Sequence, residues 1–443
     1  MTVRLRLFVR AYRLSQWADR RFTLAGKAVV IMAVASGVFG LDTGRTAGYQ
    51  VFALAAALLV VSSLSIFRWR PRLQVRRSLP ELATVGVPMH YQIVVSFTRP
   101  ISGAVVIRDE LVERFPSSAE FARERAVEEP AANAVDRRIG FPRWRLLAQR
   151  LRGGRIAPVT AMAVAGAAEL RVDPQFIPLR RGRVRFARTR VLRPDVLGLI
   201  HGAVSHPSSQ SLLVLPRTYD VPDLRFPGSR RHHRGGDASV AEVGDSQEFL
   251  QVREYRPGDP LRRIHWGRSA RTGRLVVKEM GEEYFARYGL VLDTFAAPAD
   301  SLAFETAVSV AASLARRVRT ADALLDLVFV EDRAIVAPAG RGSGGRLTLL
   351  RELAEVVPAR KEGFDVLARA VLAHAPQLSA CVHVCLRFDE ERADLVRKLS
   401  RLGVAQLVLT MRAPEVATGA VPVHVIDPAA PGPTLATMPD FLR

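Results

Sequence analysis

Two apolar stretches near the start of the chain, FTLAGKAVVIMAVASGVFGL (residues 22–41) and QVFALAAALLVVSSLSIF (residues 50–67), decide where the rest of the protein folds. Each stretch approaches the ~20 residues that an α-helix needs to cross the hydrocarbon core of a bilayer. The connection between them, residues 42–49, is too short for a domain and suits a tight turn. The sequence therefore predicts an antiparallel transmembrane helical hairpin over residues 22–70.

The charges on either side of this hairpin predict its orientation. Arginines flank both outer ends, whereas the turn carries only Arg45. The outer arginines are Arg4, Arg6, Arg10, Arg13, Arg20 and Arg21 before the first stretch and Arg68, Arg70, Arg72, Arg76 and Arg77 after the second. Because basic residues stay on the cytoplasmic side of a membrane, we expect a multi-pass protein of the bacterial inner membrane with both termini in the cytoplasm.

Two alternatives remain open for the apolar region. Ala33-Val34-Ala35 resembles the site at which a signal peptide is cleaved, but the apolar stretch before it is short and the basic leader is long. A buried hairpin in a soluble protein is disfavoured by the flanking arginines and by Trp69, an aromatic residue at the expected membrane interface.

The basic leader, residues 1–21, has a helical pattern of its own. Large apolar side chains are spaced among its arginines, namely Leu7, Phe8, Tyr12 and Leu14. This pattern predicts a basic amphipathic helix that lies on the inner leaflet.

Composition limits the class of the remaining chain. Of the 443 residues, 49% are hydrophobic and 24% are charged, which excludes wholesale disorder and leaves room for more than one core. The formal net charge of +21 attracts anionic lipid, nucleic acid or acidic protein surfaces. The two cysteines, Cys381 and Cys385, do not form a framework of paired disulfides, so a reducing compartment fits best.

Residues 71–225 show short strands separated by turns, and they predict a β-sandwich-like domain with one solvated face. The strongest strand candidates are residues 91–97, 104–108, 161–164, 183–188 and 212–215. A stretch at about 113–154 interrupts this pattern with Glu, Arg and Ala. We expect a partly helical insertion there.

Apolar strands alternate with amphipathic helices from residue 288 to residue 443. Strands are expected at residues 289–292, 325–330, 381–388 and 405–410. An apolar stripe with helical spacing follows the first of them, and it consists of Phe304, Val308, Ala311, Ala315 and Val318. This alternation predicts a doubly wound, mostly parallel α/β sheet. The whole chain is therefore expected to be an α+β multidomain protein.

Residues 226–287 join these two regions through a polar linker and a dense charged motif. The motif contains the turn Pro257-Gly258-Asp259, whose residue types favour a tight reversal of the backbone. Its candidate interaction residues are Arg253, Glu254, Tyr255, Pro257, Gly258, Asp259, Arg262, His265, Trp266, Ser269 and Arg271. The three arginines are predicted to clamp the two carboxylates through bidentate pairs. Such a network would hold two domains in register.

The motif closely resembles the hallmark of the bacterial domain-of-unknown-function 58 family. Members of that family join membrane helices and a β-region to a von Willebrand factor A-like α/β domain. Further likeness lies in PLRRG (178–182), PDVLGL (194–199), LDT (292–294) and FE (304–305). In the second of these, the Pro-Asp order is reversed and Leu replaces Phe relative to the family pattern. The resemblance covers most of residues 22–330, and it implies a MoxR-type AAA+ ATPase as a partner but no established reaction.

Glu254, Asp259 and His265 have the residue types of acid and base catalysts. No side chain near them in the sequence resembles an activated nucleophile, so a structural role is favoured. We therefore expect a membrane-anchored scaffold or adaptor that faces the cytosol, rather than an enzyme. A hydrolase or nucleotide-handling enzyme that uses the Arg253–Arg271 cluster is the alternative.

No cofactor is expected. A von Willebrand-type metal site needs Asp-x-Ser-x-Ser, whereas residues 293–297 are Asp-Thr-Phe-Ala-Ala, so we expect a degenerate site at Asp293 without metal. Cys381, His383 and Cys385 alternate along one apolar run and fit a buried strand better than a metal site. His232-His233 fits a solvated loop, and the glycine-rich residues 340–346 lack the spacing of a phosphate-binding loop.

Nucleic-acid binding is a further alternative. Arginines at positions 180, 181, 183, 185, 188, 190 and 193 follow one strand-rich stretch. Only Phe176 and Phe186 are interleaved with them, so the stretch lacks an evident platform for stacking bases. A solvated face near anionic lipid is the simpler interpretation.

Overall fold

The computed structural model describes residues 3–39, 46–67, 69–123, 139–222, 247–259, 261–282, 286–297, 301–317, 323–339, 343–359, 363–417, 419 and 421–438. The chain divides into two compact units. The first consists of Met1–Tyr219, Ala296–Ala312 and Leu350–Pro358, and the second of Asp220–Phe295, Ser313–Leu349 and Ala359–Arg443.

The basic leader is helical, but its large side chains do not all face outward as expected. Helix α1 (Val3–Arg21) packs against a later helix, Phe141–Leu151. Their shared cluster consists of Leu5, Phe8, Val9, Tyr12, Trp144 and Ala148. Of the side chains predicted to face lipid, Phe8 and Tyr12 are therefore buried within the unit, whereas Leu7 and Leu14 are exposed. The aromatic partner that buries them is more than 130 residues away in the sequence.

Two apolar helices follow, α2 (Leu24–Phe39) and α3 (Thr46–Phe67). Among the described residues, one helix, Ala47–Phe67, is long and apolar enough to cross a membrane, and only 11% of it is buried. The apolar part of α2, Leu24–Val38, is shorter than a membrane span. Thr23 caps the start of α2, because its hydroxyl oxygen accepts a hydrogen bond from the Gly26 amide at 3.0 Å. By length and composition, the helix Ala47–Phe67 gives weak support for a membrane segment.

In the described residues, the β-region of the first unit contains two sheets and two short helices. In chain order the strands are β1 (Leu73–Ser78), β2 (Leu82–Thr84), β3 (Met89–His90), β4 (Gln92–Leu111), β5 (Gly154–Ile156), β6 (Val159–Val172), β7 (Gln175–Pro178), β8 (Gly182–Pro194) and β9 (His201–Leu215). The helices between β4 and β5 are α4 (Ser118–Arg123) and α5 (Phe141–Leu151). Six strands form one sheet in the order β1-β4-β8-β9-β2, with β6 also paired to β4, and the other three form the order β3-β7-β5.

Both sheets contribute to one apolar core. Ile93, Phe186 and Leu212 of the larger sheet are fully buried together with Phe176 of the smaller sheet. The predicted strands at 161–164, 183–188 and 212–215 lie within β6, β8 and β9. The prediction of two separate strands at 91–97 and 104–108 was wrong in one respect, because both segments belong to the single strand β4. Register shifts near Ile101 and Gly103 let the strand continue past Pro100.

A charged network lies inside this core. Asp109 accepts hydrogen bonds from Arg77 at 2.5 and 2.7 Å, and neither side chain is exposed. The hydroxyls of Tyr91 and Thr189 each donate to the same carboxylate at 2.9 Å. Burial, and then the charge of Asp109, raise the pKa of Tyr91, so the phenol stays protonated as a donor. Three strands, β1, β4 and β8, are thereby joined through one carboxylate.

The second unit contains a two-stranded ribbon and a six-stranded sheet. The ribbon pairs β10 (Gln247–Glu254) with β11 (Val276–Glu282), and a short helix, α6 (Trp266–Thr272), lies between them in the chain. The sheet strands are β12 (Ala286–Leu292), β13 (Ala323–Val330), β14 (Ala334–Ala339), β15 (Ala380–Cys385), β16 (Ala405–Thr410) and β17 (Val423–Val425). The remaining described helices are α7 (Ser301–Arg317), α8 (Ser343–Glu355), α9 (Phe364–His374), α10 (Glu390–Arg401) and α11 (Pro431–Ala436). Of these, α7 up to Ala312 and α8 from Leu350 belong to the first unit.

The six-stranded sheet is mostly parallel, as predicted. Its order is β14-β13-β12-β15-β16-β17, and only β14 is antiparallel to its neighbour. Leu367 and Val371 of α9 and Leu399 of α10 pack on Val291 and Val328 of the sheet. The predicted strands at 289–292, 325–330 and 405–410 are present, whereas the one at 381–388 ends at Cys385. The edge strands β14 and β17 were missed by the sequence patterns. The described part of the protein is thus a mixed α/β structure.

Candidate functional site

The charged motif forms a projection at the end of the β10-β11 ribbon. The two strands pair from Gln247 opposite Glu282 to Glu254 opposite Val276. Residues 255–275, which we call the signature knob, connect them through a turn, a single 3₁₀ turn at Leu261–Arg263 and helix α6. The Tyr255 amide donates to the Leu275 carbonyl at 2.8 Å and closes the base of the knob.

Asp259 organises the turn at the start of the knob. Its carboxylate accepts two hydrogen bonds from the Arg253 guanidinium, at 2.6 and 2.7 Å, and one from the Arg256 amide at 2.9 Å. Gly258 lies before it with a φ of 107°, a conformation that side chains disfavour. The hydrogen bonds from Arg253, and then that from the Arg256 amide, lower the pKa of Asp259 to about 2. The carboxylate is therefore ionised and engaged at neutral pH.

The other predicted clamps differ from the expectation. Glu254 pairs with Arg274 at 2.9 Å, and both side chains are exposed. Arg262 and Arg271, which were expected to share these carboxylates, are themselves exposed. Among the described residues, the side-chain ion pairs of Glu254 and Asp259 come from Arg274 and Arg253. Arg274 lies beyond the motif that sequence reasoning singled out, two residues before Val276, the residue that pairs with Glu254 in the ribbon.

His265 and Ser269 attach the knob to the ribbon. His265 caps the start of α6, because its Nδ1 accepts from the Arg268 amide at 3.3 Å. Its own amide donates to the Val276 carbonyl at 2.8 Å. The buried Ser269 hydroxyl oxygen accepts from the Val276 amide at 2.9 Å. Both residues thus have defined structural contacts.

The outer surface of the knob is apolar and basic. Trp266 is 64% exposed, Leu261 65% and Leu275 45%. Five arginines of the same segment are also exposed, at positions 256, 262, 268, 271 and 274. Trp266 was expected to add contact area inside a network, but its ring faces solvent. A large aromatic ring among arginines is the composition that protein-binding hot spots favour.

The position of the expected degenerate metal site is filled by an arginine. Asp293, directly after β12, is 1% exposed, and its Oδ2 accepts from the Arg392 Nε at 3.1 Å. Its Oδ1 accepts from the Phe295 amide at 3.0 Å. The Arg392 guanidinium is also buried, lies 4.2 Å from the Phe364 ring and pairs with Asp389 at 2.7 Å.

These residues do not fit a divalent cation. The Asp293 carboxylate already faces a fixed positive charge, and the Thr294 hydroxyl donates to the Val330 carbonyl. Among the residues that the structure describes, no three His, Cys, Asp or Glu side chains come together as metal ligands do. Arg392 was missed by the sequence reasoning, because it lies 99 residues after Asp293.

The Cys381, His383 and Cys385 side chains lie on the fully buried strand β15. His383 Nε2 and the Gln406 side-chain oxygen on β16 are 3.0 Å apart. Burial lowers the pKa of His383 to about 4 and raises the pKa of both thiols. The neutral imidazole and unreactive thiols are those of a core strand. The His232-His233 pair and residues 340–342 lie outside the described residues.

Two further segments of the family resemblance have defined contacts within the first unit. In PLRRG, the buried Arg181 donates to the Leu353 carbonyl at 3.2 Å and the Val356 carbonyl at 2.6 Å, and it pairs with Glu305. Glu305 is itself part of the FE pair noted in the sequence. Sequence reasoning found both segments without predicting that they meet.

In PDVLGL, Asp195 closes a loop that meets the start of α2. Its carboxylate accepts from the Ile200 amide at 2.8 Å and the Leu197 amide at 3.1 Å. The Gly198 carbonyl accepts from the Thr23 hydroxyl at 2.7 Å, and the Leu199 carbonyl accepts from the Thr23 amide at 3.0 Å. The loop therefore fixes the first turn of the apolar helix to the β-region.

Comparison with known proteins gives one family match. Residues 251–428 match the model of the family described as Protein of unknown function DUF58. The match extends from the β10-β11 ribbon to beyond β17 and confirms the family resemblance. It does not extend to the PLRRG and PDVLGL segments, for which the resemblance stays a prediction.

One curated relative and one solved structure are also similar. The chain is 30% identical over 176 residues to the Uncharacterized protein YeaD of Bacillus subtilis (strain 168), over 39% of this chain and 42% of that protein. The chain thus matches less than half the length of this relative. The ASH / PapD-like domain of human CEP192 (PapD-like domain 7) is similar at a TM-score of 0.15 and 11% identity, over 32% of this chain and 81% of that one. That score is too low to indicate a shared fold.

Proposed function

Because the chain carries the DUF58 family region over residues 251–428, we propose that it is a membrane-anchored scaffold or adaptor that presents the signature knob to a protein partner in the cytosol. The observation that carries this proposal is the exposed set of Trp266, Leu261 and Leu275 among five arginines. In the same segment, the Arg253–Asp259 pair fixes the shape of the turn. A rigid aromatic anchor within a basic rim suits an acidic partner surface.

The engagement of the candidate catalytic groups supports a non-enzymatic role. The Asp259 carboxylate is held by Arg253 and a backbone amide, and the His265 ring nitrogen caps a helix. A general base needs a free lone pair directed at the proton that it removes. The buried carboxylate of Asp293, directly after β12, is paired with Arg392.

The proposed anchor is the hairpin of α2 and α3, with both ends on the cytoplasmic side of a bacterial inner membrane. Gly37 of α2 lies against the Phe52 ring of α3, which supports packing of the two helices. Lys27 of α2 pairs with Asp19 of α1, which reduces the cost of a charge near the start of an apolar helix. The arginines on both outer flanks of the hairpin support the orientation.

The proposed domain type for the six-stranded sheet is von Willebrand factor A-like. The order β14-β13-β12-β15-β16-β17 has its first strand in the centre and one antiparallel edge strand, which supports that assignment. The proposed partner is a MoxR-type AAA+ ATPase, which the family resemblance implies. In this proposal the partner binds the knob, and this binding requires no metal at Asp293.

The experiment is co-purification of the full chain, in detergent, with a co-expressed MoxR-type ATPase. Trp266→Ala is expected to reduce capture at least about tenfold, because an interface hot spot contributes ~2 kcal/mol or more. Leu402→Ala is the matched control, since Leu402 is also 59% exposed but lies outside the knob. Equal capture by the wild type and Trp266→Ala would count against the knob as the binding surface.

A further inference from the structure

The first unit contains a cavity of about 260 Å³ between α1, β4 and the α5-β5 segment. Four arginines line it, Arg20, Arg108, Arg152 and Arg155, together with Asp109, Glu110 and Glu113. A volume of that size has room for a small polar group and several waters, since a water molecule takes up ~30 Å³ in the liquid. The cavity is therefore large enough for a charged headgroup.

The acidic side chains of the cavity already lie close to arginines, although the buried Glu110 Oε1 has no hydrogen bond among the described residues. Asp109 is held by Arg77, and Glu113 pairs with Arg152 at 3.4 Å. Glu110 lies 2.9 Å from Arg190 and 3.2 Å from Arg20. Arg108 and Arg155, in contrast, make no hydrogen bond or ion pair to the described residues that line the cavity. The lining thus has an excess of positive charge.

Arg108 is the central member of this excess. It is partly buried on β4, and burial, followed by the charge of Arg20, lowers its pKa. His201 lies close enough that burial and the charge of Arg108 also lower the pKa of that imidazole. A guanidinium that is desolvated beside another guanidinium is unfavourable unless an anion compensates it.

The cavity region also holds buried donors that lack acceptors. The Nε atoms of Arg20, Arg152 and Arg190 are buried without a hydrogen-bond acceptor among the described residues. Those of Arg20 and Arg190 approach Glu110 but not with hydrogen-bond geometry. Buried donors of this kind are normally satisfied. A tetrahedral oxyanion offers the acceptors that arginine forks match.

The cavity lies beside the start of the first apolar helix. Arg20 precedes Leu24, where α2 begins, by four residues, and Leu24 is 87% exposed. Next to it, the Arg21 guanidinium donates to the His201 carbonyl at 3.3 Å. If α2 and α3 lie in a bilayer, the arginines at the end of α1 are at the level of the lipid phosphates.

We propose that this cavity binds a phosphate-bearing anion, with Arg108, Arg20 and Arg152 as its guanidinium ligands. Two sources supply that chemistry, the headgroup of an anionic phospholipid and a free phosphate ester. The membrane-adjacent position of Arg20 favours the phospholipid.

The test is calorimetric titration of the full chain in dodecyl maltoside with dihexanoyl phosphatidylglycerol, glycerol 3-phosphate and dihexanoylglycerol. The first probe is expected to bind, and the third, which lacks the phosphate, is not. Arg108→Gln should weaken binding at least about tenfold, because it removes a charge-assisted contact. Arg171→Gln, which removes an arginine whose side chain is 71% exposed on β6, should bind as the wild type does.

The outcomes separate the two sources. Binding of phosphatidylglycerol alone assigns the site to lipid, and equal binding of glycerol 3-phosphate assigns it to a soluble phosphate ester. Binding of dihexanoylglycerol as tightly as of phosphatidylglycerol, or affinity unchanged in Arg108→Gln, would overturn the proposal.

Thermal melting distinguishes a ligand-binding arginine from a structural one. In buffer without phosphate, Arg108→Gln should melt at the wild-type temperature or above it, because the variant loses a partly desolvated charge that Arg20 repels and that Glu110 and Asp19 offset only in part. Phosphatidylglycerol should raise the melting temperature of the wild type but not that of the variant. A lower melting temperature of Arg108→Gln without any ligand would show a structural role and contradict the proposal.

Discussion

The β-region of the first unit and the signature knob of the second both use a bidentate arginine–aspartate pair, but the two pairs differ in burial. Arg77 and Asp109 are completely buried. Arg253 and Asp259, at nearly the same distances, keep 34% and 16% of their side chains exposed. The first pair therefore stabilises a core, whereas the second shapes a surface. The pair that is conspicuous in the sequence is the one on the surface.

The largest effect expected from this difference is that of Asp109→Ala. Removing the carboxylate leaves the Arg77 guanidinium buried without its partner, which costs about 3–5 kcal/mol. We expect the melting temperature of the full chain in detergent to fall by at least about 6 °C, at ~2–4 °C per kcal/mol for a unit of this size.

The matched control for this variant is Glu169→Ala, which breaks the exposed Arg171–Glu169 pair of the same unit. Exposed pairs contribute only ~0–1 kcal/mol, so the control should melt close to the wild-type temperature. Similar melting of the two variants would show that burial does not separate these pairs.

Asp293→Ala should have the next largest effect. Arg392 is as deeply buried as Arg77, but it keeps a second carboxylate partner in Asp389. We therefore expect a loss of about 2–3 kcal/mol, smaller than the ~3–5 kcal/mol of a buried pair that loses its sole partner. Thermal melting measures it, with Asp365→Ala, which breaks the exposed Asp365–Arg369 pair, as the control.

Magnesium adds a second readout at the same position. We expect magnesium to leave the melting temperature of the wild type unchanged, because the Asp293 carboxylate already faces the Arg392 guanidinium. Stabilisation by magnesium that disappears in Asp293→Ala would contradict the assignment of Arg392 as the cation at this site.

Loss of the Arg253–Asp259 pair should lower the amide protection of the knob alone, and the effect should depend on pH. The pKa of Asp259 is lowered from 3.8 to about 2, so its contribution is complete above the unfolded value and is lost as the pH falls from 3.8 through about 2. We expect amide protection of the knob to be constant from pH 7 to pH 5 and to fall below pH 4. Asp259→Ala should show the low protection at every pH. Protection that falls between pH 7 and pH 5 would assign the transition to another group.

The smallest effect on stability is expected from Trp266→Ala. A side chain that is 64% exposed contributes little packing, so the change in the free energy of unfolding should be within about 0.5 kcal/mol. Thermal melting checks this. A large loss would place Trp266 in a structural role and weaken its assignment to a partner surface.

Local patterns predicted much of the fold because they depend on neighbouring residues. The strand at 405–410 follows directly from an apolar run, and the α7 helix follows from the stripe that includes Phe304 and Val308. The turn at Asp259 was predictable in the same way, because its partner Arg253 lies only six residues before it.

Contacts between distant residues were not predictable from such patterns. Arg77 reaches Asp109 across 32 residues, and Arg392 reaches Asp293 across 99. The sequence around Tyr12 predicted that this side chain faces lipid. Its ring instead packs on Trp144, which no local pattern connects to it. The sequence around an arginine does not indicate which carboxylate it will pair with in the folded protein.

Hydrogen–deuterium exchange of the full chain with and without a MoxR-type ATPase is the most direct test of the proposal that the knob is the partner surface. We predict that the ATPase protects residues 255–275 in the wild type and not in Trp266→Ala. Protection confined to other parts of the chain, with residues 255–275 exchanging as in the free protein, would contradict it.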